Sequence, residues 1–161
     1  MSRKLCLAVL AVVAVSQPAY AGSSSAQLAV GATILQSCTV AAGPMAFGSL
    51  TVLGSAHDAE ADIVLTCTPN TQYEVKLDMG DNSSGGTRHM AGVLNSAVQI
   101  PYAIYTDTNR TLPWTATSGQ TVTGTAATAV VPLKAYGRIP ASAGTVGFGV
   151  YADTVTVTVE F

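Results

Sequence analysis

The sequence is short of charge. Only 10% of its 161 residues are Asp, Glu, Lys or Arg, with seven basic side chains against nine acidic ones and a formal net charge of −2. So few basic residues give no footprint for a nucleic acid and no attraction to an anionic membrane surface. Charge is also too sparse to hold the chain open by self-repulsion, since 48% of the residues are apolar. Two His and three Cys are few as well. Neither a C-x₂-C pair nor a closely spaced His pair occurs, which leaves no zinc framework. No apolar run is long enough to cross a bilayer as a helix, and no long stretch repeats a helical period. What the chain has instead is Thr, 20 residues of it, many alternating with Val or Ala. That composition points to an all-β fold, in one ordinary domain or two very small ones.

Residues 1–21 read as a signal peptide. Arg3 and Lys4 make a basic start, Leu5 to Val15 is an unbroken apolar run, and Ala19-Tyr20-Ala21 puts small residues where a signal peptidase cuts. Cleavage there leaves 140 residues beginning at Gly22, and the loss of Arg3 and Lys4 takes the net charge from −2 to −4. Cys6 leaves with the leader. The remaining pair, Cys38 and Cys67, reads as one disulfide in an exported chain. Closing a loop of that length stabilises by about 3.5 kcal/mol in the chain-entropy view.

Period-two alternation marks the strands. Ala26, Leu28, Val30, Ala32 and Ile34 share one face of an extended segment, with Gln27, Ala29 and Thr33 on the other. Ala61, Ile63, Leu65 and Cys67 line up in the same way, as do Tyr73, Val75, Leu77 and Met79, and then Val98, Ile100, Tyr102 and Ile104. Pro101 demotes this last strand to an edge or a bulge. Residues 80–86 are a flexible loop, and 106–126 a long Thr-rich loop with a short strand near Val122. Residues 127–136 are strand-like, 137–149 a glycine-punctuated connection, and 150–161 a closing strand with Val155, Val157, Val159 and Phe161 on one face. Short strands between frequent turns suggest a single sandwich.

Reactive chemistry is thin. His57 precedes Asp58, Glu60 and Asp62, but on a strand it faces away from all three. His89 has no nucleophile motif beside it. The chain is therefore expected to be no enzyme and to carry no catalytic, metal or cofactor-binding residues. Trp114, beside Pro113, is either a sugar-stacking platform or a plug that packs its loop down. The ends carry more information. An apolar-alternating strand precedes the first cysteine of the mature chain, and the last strand runs to Phe161 with only Glu160 to guard its edge. A spare strand at one end and an uncovered strand at the other invite strand addition between molecules.

Seven segments in order resemble the spore coat protein U domain family. They are Cys38-Thr39-Val40, Phe47-Gly48, Leu65-Thr66-Cys67, Tyr73 to Asp78, Tyr102-Ala103-Ile104-Tyr105, Tyr136 to Pro140, and Tyr151 to Val159. That family includes subunits of archaic chaperone–usher pili, and the resemblance implies an incomplete immunoglobulin-like β-sandwich lacking its last strand. It implies three segments: the leader at 1–21, a donor strand at 22–36 and the sandwich at 37–161. Ala26, Leu28, Val30, Ala32 and Ile34 are then the donated plugs. Val155, Val157, Val159 and Phe161 border the acceptor groove. A periplasmic chaperone, an outer-membrane usher and neighbouring subunits are the implied partners, on a route through the periplasm to a surface pilus serving adhesion and biofilm. No separate binding domain fits in 140 residues, so a shaft or minor adaptor subunit is implied. The alternative is a stand-alone secreted coat or glycan-binding sandwich module, and the spare N-terminal strand speaks against it.

Overall fold

The computed structural model describes residues 21–161; the leader expected at 1–21 lies outside the described residues except for Ala21. Two compact units are distinguished, Met1–Thr33 and Ile34–Phe161. In the first, residues 21–33 join no strand, and Leu28 and Val30 are 88% and 87% exposed. A strand needs a ladder to satisfy its backbone groups, and residues 21–33 form no ladder among the described residues.

The second unit is all-β. Nine strands follow in order: β1 (Cys38–Ala42), β2 (His57–Cys67), β3 (Gln72–Leu77), β4 (Arg88–Gly92), β5 (Gln99–Tyr105), β6 (Val122–Thr125), β7 (Val130–Ile139), β8 (Tyr151–Ala152) and β9 (Val157–Glu160). They form two antiparallel sheets, one ordered β1-β2-β7-β5-β4-β8 and the other β6-β3-β9. This is the sandwich expected from the alternation. On β2, Ala61, Ile63, Leu65 and Cys67 are buried while Asp58, Glu60 and Asp62 are exposed. Val75 and Leu77 of the smaller sheet meet this row, and Ile100, Tyr102 and Ile104 of β5 complete the core. Cys38 and Cys67 lie opposite each other in the β1–β2 register, with Cα atoms 4.1 Å apart, and form the expected disulfide.

Four readings change. Pro101 is not on an edge strand, because β5 lies between β7 and β4. Its ring is tolerated because β5 pairs with β7 only from Ala103 to Tyr105, so the strand is one-sided at Pro101. The strand assigned to 127–136 runs instead to Ile139, through Gly137. There a Cβ would collide with Met45 Sδ and sit 3.0 Å from Phe47, so glycine lets the segment after β1 press onto the sheet. Strand β4 escapes the alternation because a charged residue, Arg88, takes an inward position. The closing strand is two pieces: β8 pairs with β4 in one sheet and β9 with β3 in the other.

Trp114 is fully buried. Its indole Nε1 donates to Val75 O at 2.9 Å, and its own amide donates to Ile104 O at 2.8 Å. The Trp plugs the long loop onto the core, and the sugar platform is ruled out.

Candidate functional site

The outer face of the larger sheet offers no reactive cluster. Asp58 accepts two bonds from Arg138, at 2.7 and 2.8 Å, and faces Arg110 at 3.3 Å. The Arg138 hydrogen bonds hold its carboxyl below the usual range. Lys134 spans Asp62 at 2.8 Å and Glu60 at 3.5 Å. His57 lies on the other face, its Nε2 2.9 Å from Val52 O. These are cross-strand pairs on a solvated surface, individually worth little. His89 Nδ1 has no hydrogen-bond partner among the described residues, so no carboxylate orients that ring as a catalytic triad requires. Among those residues no three His, Cys, Asp or Glu side chains gather as a metal would need. The side chain of Asn82, which with Ser83 and Ser84 matches the Asn-x-Ser glycosylation pattern, is already bonded to Asp153 Oδ1, at 2.9 Å.

A groove of about 630 Å³ lies between the two sheets. One wall is the end of β1 and the segment after it, with Ala42, Met45 and Phe47. The opposite wall is the C-terminal segment, with Tyr151, Asp153, Val155 and Val157. Ile63, Leu77, Ile104 and Ala135 form its floor. Both walls end in unpaired edges, since β1 is the outermost strand of its sheet and β9 the outermost of the other. An apolar cleft beside a free strand edge is a place where an extended segment extends a ladder and buries its alternate side chains.

Of the residues assigned to this border from the sequence, Val155 and Val157 line the groove. Val159 is part-buried and packs on the core. Phe161 is 57% exposed and faces a shallower recess with Tyr73 and Gly124 outside the groove. Among the donor-face residues, Leu28, Val30 and Ile34 are each more than four-fifths exposed, and Ala26 and Ala32 are exposed too.

The sequence reading missed what holds the C-terminal wall. Between β8 and β9 the chain crosses from one sheet to the other, and the loop after β3 grips it. Asp78 Oδ1 accepts from the amides of Gly80 and Thr156, each at 2.9 Å. Asp153 Oδ1 accepts from the Asn82 amide and side chain, and Tyr102 Oη donates to Asp153 Oδ2 at 2.6 Å. Arg88, 3% exposed, donates to the carbonyls of Leu77, Asp78 and Trp114 beneath them. Burial works to raise the Asp78 carboxyl, but the hydrogen bonds from Thr156 and Gly80, with Arg88 nearby, outweigh it and hold the group below its ordinary value. Burial first, then the bond to Asp153, pushes the Tyr102 phenol far up, so it stays a donor. The available sequence signal was the single acid, Asp153, within the apolar row of the closing segment.

Three comparisons place these observations. The model of the Spore Coat Protein U domain family matches residues 24–158. No curated protein matches. One solved structure covers 80% of this chain at 21% identity and a TM-score of 0.56. It is the pre-assembly complex of chaperone and tip adhesion subunit, CsuC–CsuE, from the archaic chaperone–usher Csu pili of Acinetobacter baumannii. A chaperone–tip adhesin complex of CFA/I fimbriae biogenesis covers 70% at 12% identity and a TM-score of 0.42. This chain spans 41% and 38% of the two solved chains respectively.

Proposed function

The chain belongs to the Spore Coat Protein U domain family, and from that premise we propose that it is a structural subunit of a surface pilus assembled by donor-strand exchange. The observation that carries the reading is the apolar groove between the free edges of β1 and β9. The N-terminal segment supports it, because its apolar face is exposed and it joins no strand ladder among the described residues. In this reading Ala26, Leu28, Val30, Ala32 and Ile34 of one copy enter the groove of the next. A periplasmic chaperone fills the groove first, and an outer-membrane usher oversees the exchange at the cell surface. The likeness in fold to a chain of a chaperone–subunit complex of archaic pili agrees with such partners. The protein's role is structural, in the shaft or a minor adaptor, with no chemistry asked of its side chains.

The reading is tested by expression. Produced alone in the periplasm, the chain should aggregate or form strand-swapped oligomers, as an open groove and free edges dictate. Co-expressed with its cognate chaperone, it should be recovered as a soluble one-to-one complex. A well-behaved monomer that unfolds cooperatively with no added strand would overturn the proposal.

A further inference from the structure

The wall of the groove poses a physical problem. Residues 151–160 place Tyr151, Asp153, Val155, Val157 and Val159 at the half-buried positions, in unbroken alternation. Yet the ladder bonds along this segment are few, because β8 has two residues, β9 has four, and the chain between them belongs to neither sheet. Short edge elements with an unpaired side open easily. A wall that frays in the empty groove has to be ordered again each time a strand arrives.

The third position on the inward side of that row, counted back from Val157, is a carboxylate. An acid there is costly unless each of its oxygens is satisfied, and an apolar residue would continue the row more simply. Asp153 is satisfied from two other elements: Asn82 holds Oδ1, and Tyr102 on β5 holds Oδ2. Three residues on, Asp78 holds the Thr156 amide through its side chain, while its own amide donates to Thr156 O at 3.0 Å. Between the two carboxylates, the Asp81 amide donates to Thr154 O at 3.1 Å. The loop is shaped to this task. Gly80 has φ +78°, and a Cβ there would strike the Asp153 carboxylate, so only glycine lets the loop come so close.

We propose that Asp153 and Asp78 are positioning residues for strand uptake, holding residues 153–156, and with them the Val155–Val157 wall, in receptive form before any strand arrives. The inference rests on the donor-strand reading and adds to it the parts of this chain that keep the groove ready. Where only a fraction of molecules have the wall in place, uptake slows by that fraction while release from the filled groove is unaffected.

The probe is a labelled synthetic peptide of residues 24–36. The receptor is the exported chain carrying Val30→Asp, which silences its own donor face, freed of its chaperone and kept monomeric by high dilution. Asp153→Ala and Asp78→Ala should each slow association by about tenfold, with dissociation unchanged. The conservative Asp153→Asn, which keeps the acceptor for Asn82, should slow it by about threefold. Tyr102→Phe removes one hydrogen bond without altering the core's shape, and should behave like Asp153→Asn even if the alanine variants fold poorly. Hydrogen exchange separates positioning from general stability. In the empty variants the amides of 153–160 should exchange faster while those of β2 and β7 keep their protection, and peptide should restore the former. If the unaltered receptor binds no peptide, the donor-strand reading fails and the inference goes with it. If it binds and the variants associate at its rate, the positioning role alone is refuted. Equal loss of protection in β2 and β7 would likewise show a merely structural role and refute it.

Discussion

Val30→Asp is the sharpest perturbation of the proposed donor strand. In the unpaired chain Val30 is 87% exposed, so the substitution costs the free subunit almost nothing. On the proposed exchange the same side chain would enter a neighbour's groove, whose floor is Ile63, Leu77 and Ile104. Burying valine there is worth about 1.5–3 kcal/mol, whereas an aspartate with no partner costs about 2–5 kcal/mol. The difference is at least about 3.5 kcal/mol, a few hundredfold in groove occupancy. Surface fibres counted by electron microscopy should disappear. The periplasmic chaperone complex, measured in parallel, should persist, because in the proposed pathway the chaperone would fill the groove without using this segment. Thr33→Lys changes the opposite face of the extended segment and should assemble normally. Normal fibres from Val30→Asp would refute the donor-strand reasoning, and equal damage from Thr33→Lys would refute the register, since a one-residue slip exchanges the faces.

Three further outcomes are expected. Replacing Cys38 and Cys67 together by Ser should lower stability to denaturant by about 3.5 kcal/mol, read as a shift of the unfolding midpoint of the chain with its groove filled by a peptide of residues 24–36. Trp114→Ala empties a fully buried site and orphans the Val75 carbonyl, and should cost about 3–5 kcal/mol in the same measurement. The Asp78 carboxyl titrates below its unfolded value, so its contribution is full above the ordinary carboxylate range and is lost as the pH falls through the lower folded value. Asp78→Asn should therefore flatten the acid limb of stability against pH, and an unchanged limb would contradict the assignment.

Much of the sandwich was legible because burial and sequence share one period. On β2, β3 and β5 the apolar residues alternate with polar ones, and the faces read from sequence are the buried ones. The cysteine pair was legible from export and parity. Strand β4 was hidden because its inward residue is Arg88, whose charge is satisfied by carbonyls distant in sequence. The break between β8 and β9 was hidden for a related reason. Residues 151–160 keep perfect alternation across it, and the sheet change is imposed by the 78–82 loop. Pro101 misled because a strand's place in a sheet is not uniform along its length: β5 is interior overall yet unpaired toward β7 at that residue. The groove follows from pairing, which no local pattern reveals, although the apolar face of Val155 and Val157 marks one wall.

The central claim is that the β1–β9 groove accepts the apolar face of residues 26–34 from another copy. Methyl-to-methyl NOEs between the labelled exported chain and a synthetic peptide of residues 24–36 test it most directly. Contacts are expected from Leu28, Val30 and Ile34 to Ile63, Ile104, Val155 and Val157, with none from Thr33. A peptide that leaves the groove methyls unperturbed, or that contacts the chain through Thr33 and Gln27 instead, would contradict it.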